Sequence, residues 1–405
     1  MMRKILAVSA AMGLLAWAGA AGADPRGLAM GGTDAALARG ADAVRWNPAL
    51  LGLPDAPVFS LRLVQAGGEA GNNSFNLDQY KRLNGAVWGD AEKSEILGSV
   101  PASGLQVHSN AGGGSGLATQ HFGFYADGIG AAEATVARDG VDFALYGNAL
   151  DRTYNLAGSG GKAYASGRGL VGFALPLPGG HRSLGIQVGY ERGIRWEEGT
   201  TEVGTFRATA DTAEVLGSFL QREGTQGTGL TVGLGYAAAL PGGGTFSLAV
   251  RDLWNRTHWK GTDRRYHLQG GHGVVGTGNL DSLFTSTSDP AVAVEFSTHR
   301  APMATMGVTH ASGAMFVSGI VEKGLGESPG VSSQMRTAWG LEWSGLRLVA
   351  LRGGLSLGGG EGTRLSGGAG LHTGPLHLDV GVASRGISAS GSQGVAVSAG
   401  ALVEI

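Results

Sequence analysis

The stretch "HRSLGIQVGYERGIRWEEG", residues 181–199, alternates between two kinds of side chain with a period of two. This is the period of a β-strand, in which successive side chains point to opposite faces of the sheet. One face of the predicted strand is apolar, and the other is polar or consists of glycine. The apolar face comprises Leu184, Ile186, Val188, Tyr190, Ile194 and Trp196, and the other face comprises Gly185, Gln187, Gly189, Glu191 and Arg195.

The same division into faces recurs toward the C-terminus. It is clear in "TGLTVGLGYAAAL" (228–240), in "GPLHLDVGVAS" (374–384) and in the final segment "GVAVSAGALVEI" (394–405). The stretch 291–311 reads as one long strand bulged around Pro302, because proline cannot donate to a β-ladder. On this interpretation, eleven strands run from residue 163 to the C-terminus, and the last of them closes the sheet.

The composition indicates where such a sheet would lie. Charged residues make up 15% of the chain, against roughly 25% in soluble domains, and 75 of the 405 residues are glycine. No apolar run after residue 23 reaches the roughly 20 residues that a membrane-spanning helix needs. If the mature chain lies in a membrane, it must therefore be a β-barrel.

The first 23 residues have the features of a secretory signal peptide. Arg3 and Lys4 precede an apolar run, and Ala21-Gly22-Ala23 is a small-residue cleavage site, so the mature chain is expected to begin near Asp24. Removing the two basic residues takes the formal net charge from −2 to −4, which gives no reason to expect a nucleic-acid partner. The absence of cysteine excludes disulfides, a lipid-modified cysteine and thiolate metal sites.

Short and long connections alternate along the second half of the chain, as they do in an up-and-down barrel with tight periplasmic turns and longer extracellular loops. Residues 197–227 and 260–289 are interpreted as long loops. The predicted fold is all-β: a transmembrane antiparallel up-and-down β-barrel of about 14 strands, within a range of 12–16, spanning 58–405. The strand candidates before residue 163 are 58–65, 117–126, 129–137 and 141–150.

Two aromatic pairs are candidates for the girdles at the membrane interfaces. Trp339 and Trp343 share one face of a predicted strand, and Tyr190 and Trp196 share a face of another. Packed core pairs are the equally weighted alternative. For the whole chain, a soluble periplasmic β-sandwich is the alternative fold, because alternating strands also occur there.

The stretch "LAMGGTDAALARGADAVRWNPALLG", residues 28–52, does not alternate like a strand and is too broken for a long helix. Gly31 and Gly32 permit positive φ angles ahead of a short helix. Pro48 biases Asn47 toward an extended conformation, and the Asn47 side chain can stabilise a turn there. These residues predict a compact segment at 24–57, with a flexible N-terminal arm as the alternative.

The order of these features resembles the N-terminal signature of the FadL and PorV outer-membrane barrel superfamily, which includes conjugal-transfer TraF-like proteins. The matching elements are Met30-Gly31-Gly32, the Ala-rich stretch 33–39 and Asn47-Pro48-Ala49. The resemblance implies that 24–57 forms a hatch inside the periplasmic end of the barrel, with Gly31, Gly32, Asn47, Pro48 and Ala49 as its structural motif. It also implies location in the outer membrane, among its lipids.

The sequence contains no recognisable catalytic, phosphate-binding or metal-binding motif. The stretch 158–163 has the wrong spacing for a phosphate loop, and Glu197 and Glu198 point to opposite faces if the chain is extended. His258, His267 and His272 lie in or beside one predicted loop with Asp263, and a solvated loop is favoured there over a metal site. Residues 212–224 show helical spacing and suggest a helix on the barrel rim. No catalytic residue, metal site, cofactor or ligand-binding residue is predicted.

Two functions follow from the resemblance, and the chain is not expected to be an enzyme. One is a PorV-like role in secretion or assembly, with secretion-system proteins as partners at the cell surface. The other is a FadL-like channel for long-chain fatty acids or other hydrophobic compounds, with a hydrophobic ligand. Both are forms of transport or secretion across the outer membrane.

Overall fold

The computed structural model of the protein describes residues 24–209, 212–270, 284–328, 330–388 and 390–405. The predicted signal peptide, residues 1–23, lies outside the described residues. Seventeen strands form one sheet, which closes on itself because β1 (Phe59–Asn72) pairs with both β2 (Leu105–Thr119) and the last strand, β17 (Gly394–Glu404). All the strands of the described residues belong to this one closed sheet, so the β-sandwich alternative is wrong.

The remaining strands, β3 to β16, complete the barrel, and each is antiparallel to the strands it pairs with. They are β3 (Phe122–Val136), β4 (Thr153–Asn155), β5 (Gly160–Pro176), β6 (Arg182–Ala208), β7 (Ala213–Leu240), β8 (Gly244–Gly270), β9 (Phe284–Ser288), β10 (Val292–Thr298), β11 (Met303–Ser312), β12 (Met315–Gly324), β13 (Arg336–Trp343), β14 (Val349–Gly358), β15 (Arg364–Thr373) and β16 (Leu376–Arg385).

The wall of the barrel consists of 14 strands around its circumference, as predicted. In this number β10 and β11 are counted as a single strand, because both pair with β8 and only the segment around Pro302 separates them. This confirms the interpretation of 291–311 as one interrupted strand. β4 and β9 are short additions that pair with the outer parts of β6 and β8.

The described residues form six α-helices and one 3₁₀ helix in addition to the strands. Three α-helices precede the barrel, followed by the 3₁₀ helix; two more lie between β1 and β2, and one lies between β3 and β4. They are α1 (Pro25–Ala29), α2 (Asp34–Leu37), α3 (Gly40–Trp46), the 3₁₀ helix (Pro48–Gly52), α4 (Leu77–Leu83), α5 (Asp90–Ser99) and α6 (Arg138–Tyr146). Within the described ranges, no helix has the length and apolarity needed to cross a bilayer.

The two faces predicted for residues 181–199 are the two surfaces of the wall. In β6, Leu184, Ile186 and Val188 are 43–46% exposed on the outside, whereas Gln187 and Glu191 are buried in the lumen. The outer surface is therefore apolar, and the lumen is lined by polar or small residues. This is the arrangement of a barrel that is surrounded by lipid. The exposed large side chains of β7 and of β12 to β17 continue this apolar surface around the molecule.

Two of the strand candidates before residue 163 are wrong. The range 117–126 contains the two-residue turn Gln120-His121, where His121 has a φ of +74°, and apolar alternation continues across such a tight turn. The range 141–150 begins in α6, where Phe143 packs against Tyr154 and Phe206. The other two candidates fall in β1 and β3, although β1 continues to Asn72.

The predicted long loop 197–227 is also wrong, because most of it continues β6 and β7. These strands and β8 have 27 or 28 residues, although about 9–11 suffice to cross a bilayer. The predicted helix at 212–224 is part of β7, which is paired on both sides. Cross-strand ion pairs, such as Arg222 with Asp263 at 2.8 Å and Arg265 with Glu202 at 2.9 Å, let these polar sequences remain in the ladder.

Candidate functional site

The N-terminal segment, residues 24–57, lies inside the barrel against the strands of its wall. Its helices contact strands on every side of the barrel: α1 lies against β14 to β17, α2 against β8, β11 and β12, α3 against β1, β2, β3 and β5, and the 3₁₀ helix against β5, β6 and β7. Val44, Leu51 and Ala49 are at most 1% exposed, among Tyr125 and Leu170 of the wall. The flexible-arm alternative is therefore not supported.

The segment lies at the end of the barrel that carries the short turns. The Leu51 carbonyl accepts a hydrogen bond from the backbone N–H of His121 in the turn between β2 and β3, at 3.1 Å. Phe59 at the start of β1 and the terminal Ile405 exchange two backbone hydrogen bonds at this end as well. In outer-membrane barrels, the end with the short turns faces the periplasm.

Gly31 and Gly32 form a turn that only glycine accommodates. Their φ angles are +79° and +77°, and a Cβ on Gly31 would lie 2.7 Å from the Trp339 carbonyl. The Gly31 N–H donates to the Ser366 hydroxyl at 2.9 Å, and the Gly31 carbonyl accepts from the guanidinium of Arg336. The turn is thus attached to β13 and β15 through its backbone.

Asn47, Pro48 and Ala49 form the start of the 3₁₀ helix. The Asn47 side-chain oxygen accepts from the Ala49 N–H at 3.1 Å, and Pro48 occupies the first helical position, which needs no donor. The Asn47 side-chain nitrogen donates to the carbonyls of Tyr236 and Leu248, at 3.2 and 3.3 Å. One amide therefore caps the helix and joins it to β7 and β8.

Buried ion pairs hold the segment to the wall. Arg62 of β1 is 2% exposed and bonds to the carboxylates of Asp24 and Asp42. Arg26 of α1 binds Glu342 of β13 with two hydrogen bonds of 2.9 Å. Bidentate pairs of this kind fix orientation as well as distance.

The Arg26 pair belongs to a longer chain of charges. Arg352 donates to Glu342 and to Asp379, both at 2.6 Å. The sequence patterns did not predict a role for these residues. The available signal was the presence of Glu342, Arg352 and Asp379 among small residues on the lumenal faces of otherwise apolar strands.

The large cavity at the other end of the barrel is a wall-side groove of about 1130 Å³, beneath α4 and α5. Val395 and Val397 line it and are 51% and 52% exposed on the lipid-facing side. Ala70 pairs with Val395, and Ser109 pairs with Ala70, so these residues share that face. The groove therefore opens on the outer surface of the wall.

Many of the wall side chains beneath the groove are small, and larger side chains cover it from α4, α5 and their connection. The small residues are Gly68, Ala70, Ser109, Ala111, Ala132 and Ala134; the covering residues include Tyr80, Leu83, Trp88 and Ile96. Its volume slightly exceeds the range of about 300–1,000 Å³ usual for small-molecule sites. The arrangement suits an apolar molecule in contact with lipid.

An aromatic cluster lies inside the barrel. Trp259 is 3% exposed, stacks on Phe296 and contacts Trp196, which stacks on Tyr164. The predicted sharing of a face by Tyr190 and Trp196 is therefore wrong. An irregularity of the β5–β6 ladder next to Ile194 changes the alternation, and Trp196 turns toward the lumen.

The residues considered for other chemistry are not assembled into a site. Along β8, His258 bonds to Ser297 and His267 to Asp289, while Asp263 pairs with Arg222. His272 lies outside the described residues, and no group of three or more potential metal ligands occurs among the described ones. The stretch 158–163 contributes to β5, where Lys162 pairs with Glu198.

No protein-family model and no curated protein sequence matches the chain. Among solved structures, the chain is similar to the Ralstonia pickettii toluene transporter TbuX, with a TM-score of 0.55, 14% identity, and coverage of 95% of this chain and 98% of that one. A Pseudomonas aeruginosa FadL homologue gives a TM-score of 0.53, 12% identity, and coverage of 96% and 100%. The P. putida toluene transporter TodX gives 0.52, 10%, and 95% and 99%. These identities establish the fold alone: a FadL-type barrel, as the N-terminal signature predicted.

Proposed function

Since the chain has the fold of FadL-type barrels, we propose that it is an outer-membrane channel for hydrophobic compounds, whose lumen is closed by residues 24–57. The wall-side groove carries this proposal. It is large and apolar, and it opens toward lipid, where an apolar molecule would partition. A channel for polar solutes would instead need an open, water-filled lumen, which the N-terminal segment occupies.

The proposal assigns the hatch role to Gly31, Gly32, Asn47, Pro48 and Ala49. Their backbone and side-chain bonds to β7, β8, β13 and β15 hold the segment across the lumen. The ion pairs of Arg62 and Arg26 support the same placement. Passage of a ligand through the lumen would require these contacts to rearrange.

Filling the groove tests the channel function. Ala111 lies on the groove wall, and Ala126 lies on the lipid-facing side of β3 outside the groove. We expect Ala111→Phe to lower uptake of dodecanoate and toluene about tenfold, because loss of about 1.4 kcal/mol of binding is tenfold in affinity. Ala126→Phe is the matched control and should leave uptake unchanged. Equal uptake by both variants, or uptake unaffected by deletion of the gene, would contradict the proposal.

A role in secretion or assembly is the second candidate. The observation in its favour is the extension of β6, β7 and β8 beyond the membrane, with a charged surface that includes Arg222, Glu202 and Arg265. Crosslinking on intact cells distinguishes the two functions. A stoichiometric protein partner on this extension, together with unchanged uptake in the deletion strain, would favour the second.

A further inference from the structure

The backbone nitrogen of Asp24 occupies a fixed position in the N-terminal segment. Each polar group of Asp24 has a partner: its carbonyl accepts from Leu28 N–H at 2.8 Å, and its carboxylate accepts from Gly27 N–H at 3.2 Å and from Arg62 at 2.9 Å. Its nitrogen donates to the carboxylate of Asp34 at 3.0 Å. Asp24 and Asp34 are 8% and 4% exposed.

Arginine side chains lie near the Asp34 carboxylate, but none of the described ones forms an ion pair with it. The buried carboxylates of Asp24 and Asp42 both pair with the guanidinium of Arg62, whereas the buried carboxylate of Asp34 does not. Burial raises the pKa of the Asp34 carboxyl to about 6, and the positive charges of Arg45 and Arg336 only partly oppose this rise. Burying a carboxylate without a paired positive charge is unfavourable, because the charge loses its hydration.

We propose that removal of residues 1–23 supplies the missing charge: the new α-ammonium group of Asp24 forms a buried ion pair with Asp34 and locks the N-terminal segment in the lumen. A signal peptidase hydrolyses the bond between Ala23 and Asp24. Water contributes its hydroxyl to the Ala23 carbonyl carbon and a proton to the Asp24 nitrogen. An α-amine has a pKa of roughly 7.7–8.0 in a free chain, so it gains a further proton near neutrality.

The ion pair would be stronger than the hydrogen bond it replaces. A peptide N–H is a neutral donor, whereas bonds between ionised partners are roughly twice as strong. The approach of α1 to Asp34 is already close, because a Cβ on Gly27 would lie 2.3 Å from the Asp34 carboxylate oxygen. The other charges near the two residues are Arg26, Asp379, Glu322, Arg251 and Arg364, in addition to those named above.

The experiment measures the reactivity of the α-amine in the processed, purified protein. Peptide mass spectrometry should find Asp24 as the first residue. An amine-reactive ester at pH 7 should then label this amine at least about tenfold more slowly in the native barrel than in the boiled chain, since raising an amine pKa by one unit lowers its free-base fraction tenfold. A different first residue, or equal labelling rates in the two states, would overturn the proposal.

Two variants separate charge pairing from simple burial. Asp34→Asn removes the partner and should return the labelling rate to within about threefold of the boiled chain. Inserting one alanine before Asp24 displaces the amine and should have the same effect, which keeps the test available if Asp34→Asn does not assemble. The matched control is Asp55→Asn, an exposed carboxylate of the same segment. Slow labelling in both test variants would overturn the proposal, whatever the outcome of the uptake experiment.

Discussion

At the scale of single residues, glycine determines how closely the N-terminal segment approaches the wall. Gly354 of β14 faces the lumen, and a Cβ there would lie 2.1 Å from the Gly31 nitrogen. Gly353, its neighbour, has no atom within 4 Å of such a Cβ. A methyl group added at Gly354 would therefore clash with the N-terminal segment, whereas one added at the adjacent Gly353 would contact nothing.

We expect Gly354→Ala to displace the turn at Gly31-Gly32 and to speed tryptic cleavage after Arg39 in the folded barrel by about 5–30-fold. This corresponds to a loss of one or two kcal/mol in the stability of the segment. Gly353→Ala is the control and should leave the rate unchanged. Indistinguishable rates for the two variants would show that the turn is not held at this distance.

At the scale of elements, β8 carries two tryptophans in opposite environments. Trp259 is buried in the lumenal aromatic cluster, with its indole N–H donating to Thr298 at 2.8 Å. Trp254 is 52% exposed on the outside. Asp252, with a φ of +50°, lies at an irregularity in the pairing of β8 with β7.

Replacing the buried tryptophan should destabilise this part of the barrel much more than replacing the exposed one. Trp259→Ala leaves a cavity, at a cost of about 3–5 kcal/mol, and should lower the temperature at which the folded band disappears on a heat-modifiability gel. Trp254→Ala, in contact with lipid, should cause a clearly smaller shift. A larger shift for Trp254→Ala would place the stabilising contacts on the lipid side instead.

At the scale of the whole molecule, the barrel wall and its contents have different roles. Fourteen strands enclose more space than the eight-stranded barrels that side chains alone can fill. Here, residues 24–57 and the charged network around Arg352 occupy that space. The ionic permeability of the protein should therefore depend on the N-terminal segment and not on the wall.

Deleting residues 24–57 while keeping the cleavage site should raise single-channel conductance in planar bilayers by on the order of tenfold, because the lumen then fills with water. Deleting 77–99, which removes α4 and α5 from above the groove, is the control and should leave conductance unchanged. A closed channel after the first deletion would mean that other lumenal groups block the path. The heat-modifiability gel confirms in each case that the barrel has formed.

The sequence by itself determined the barrel, because the alternation of side chains along a strand is a local property that needs no knowledge of neighbours. Leu184 to Tyr190 predicted the lipid-facing surface correctly, and Pro302 predicted the interruption between β10 and β11. The turn at Gly31-Gly32 and the side-chain bond of Asn47 could also be predicted from the sequence, because both depend on backbone geometry within a few residues.

Only the tertiary structure decided the features that depend on partners distant in the chain. The orientation of Trp196 depends on a ladder irregularity beside β5, and 212–224 is a strand because β6 and β8 pair with it on both sides. Arg26 and Glu342 are separated by 316 positions, and the groove exists because α4 and α5 lie above the wall. Contacts between residues so distant in the chain produce no periodic pattern in the local sequence. The lumenal ion pairs and the groove could therefore be identified only from the closed barrel.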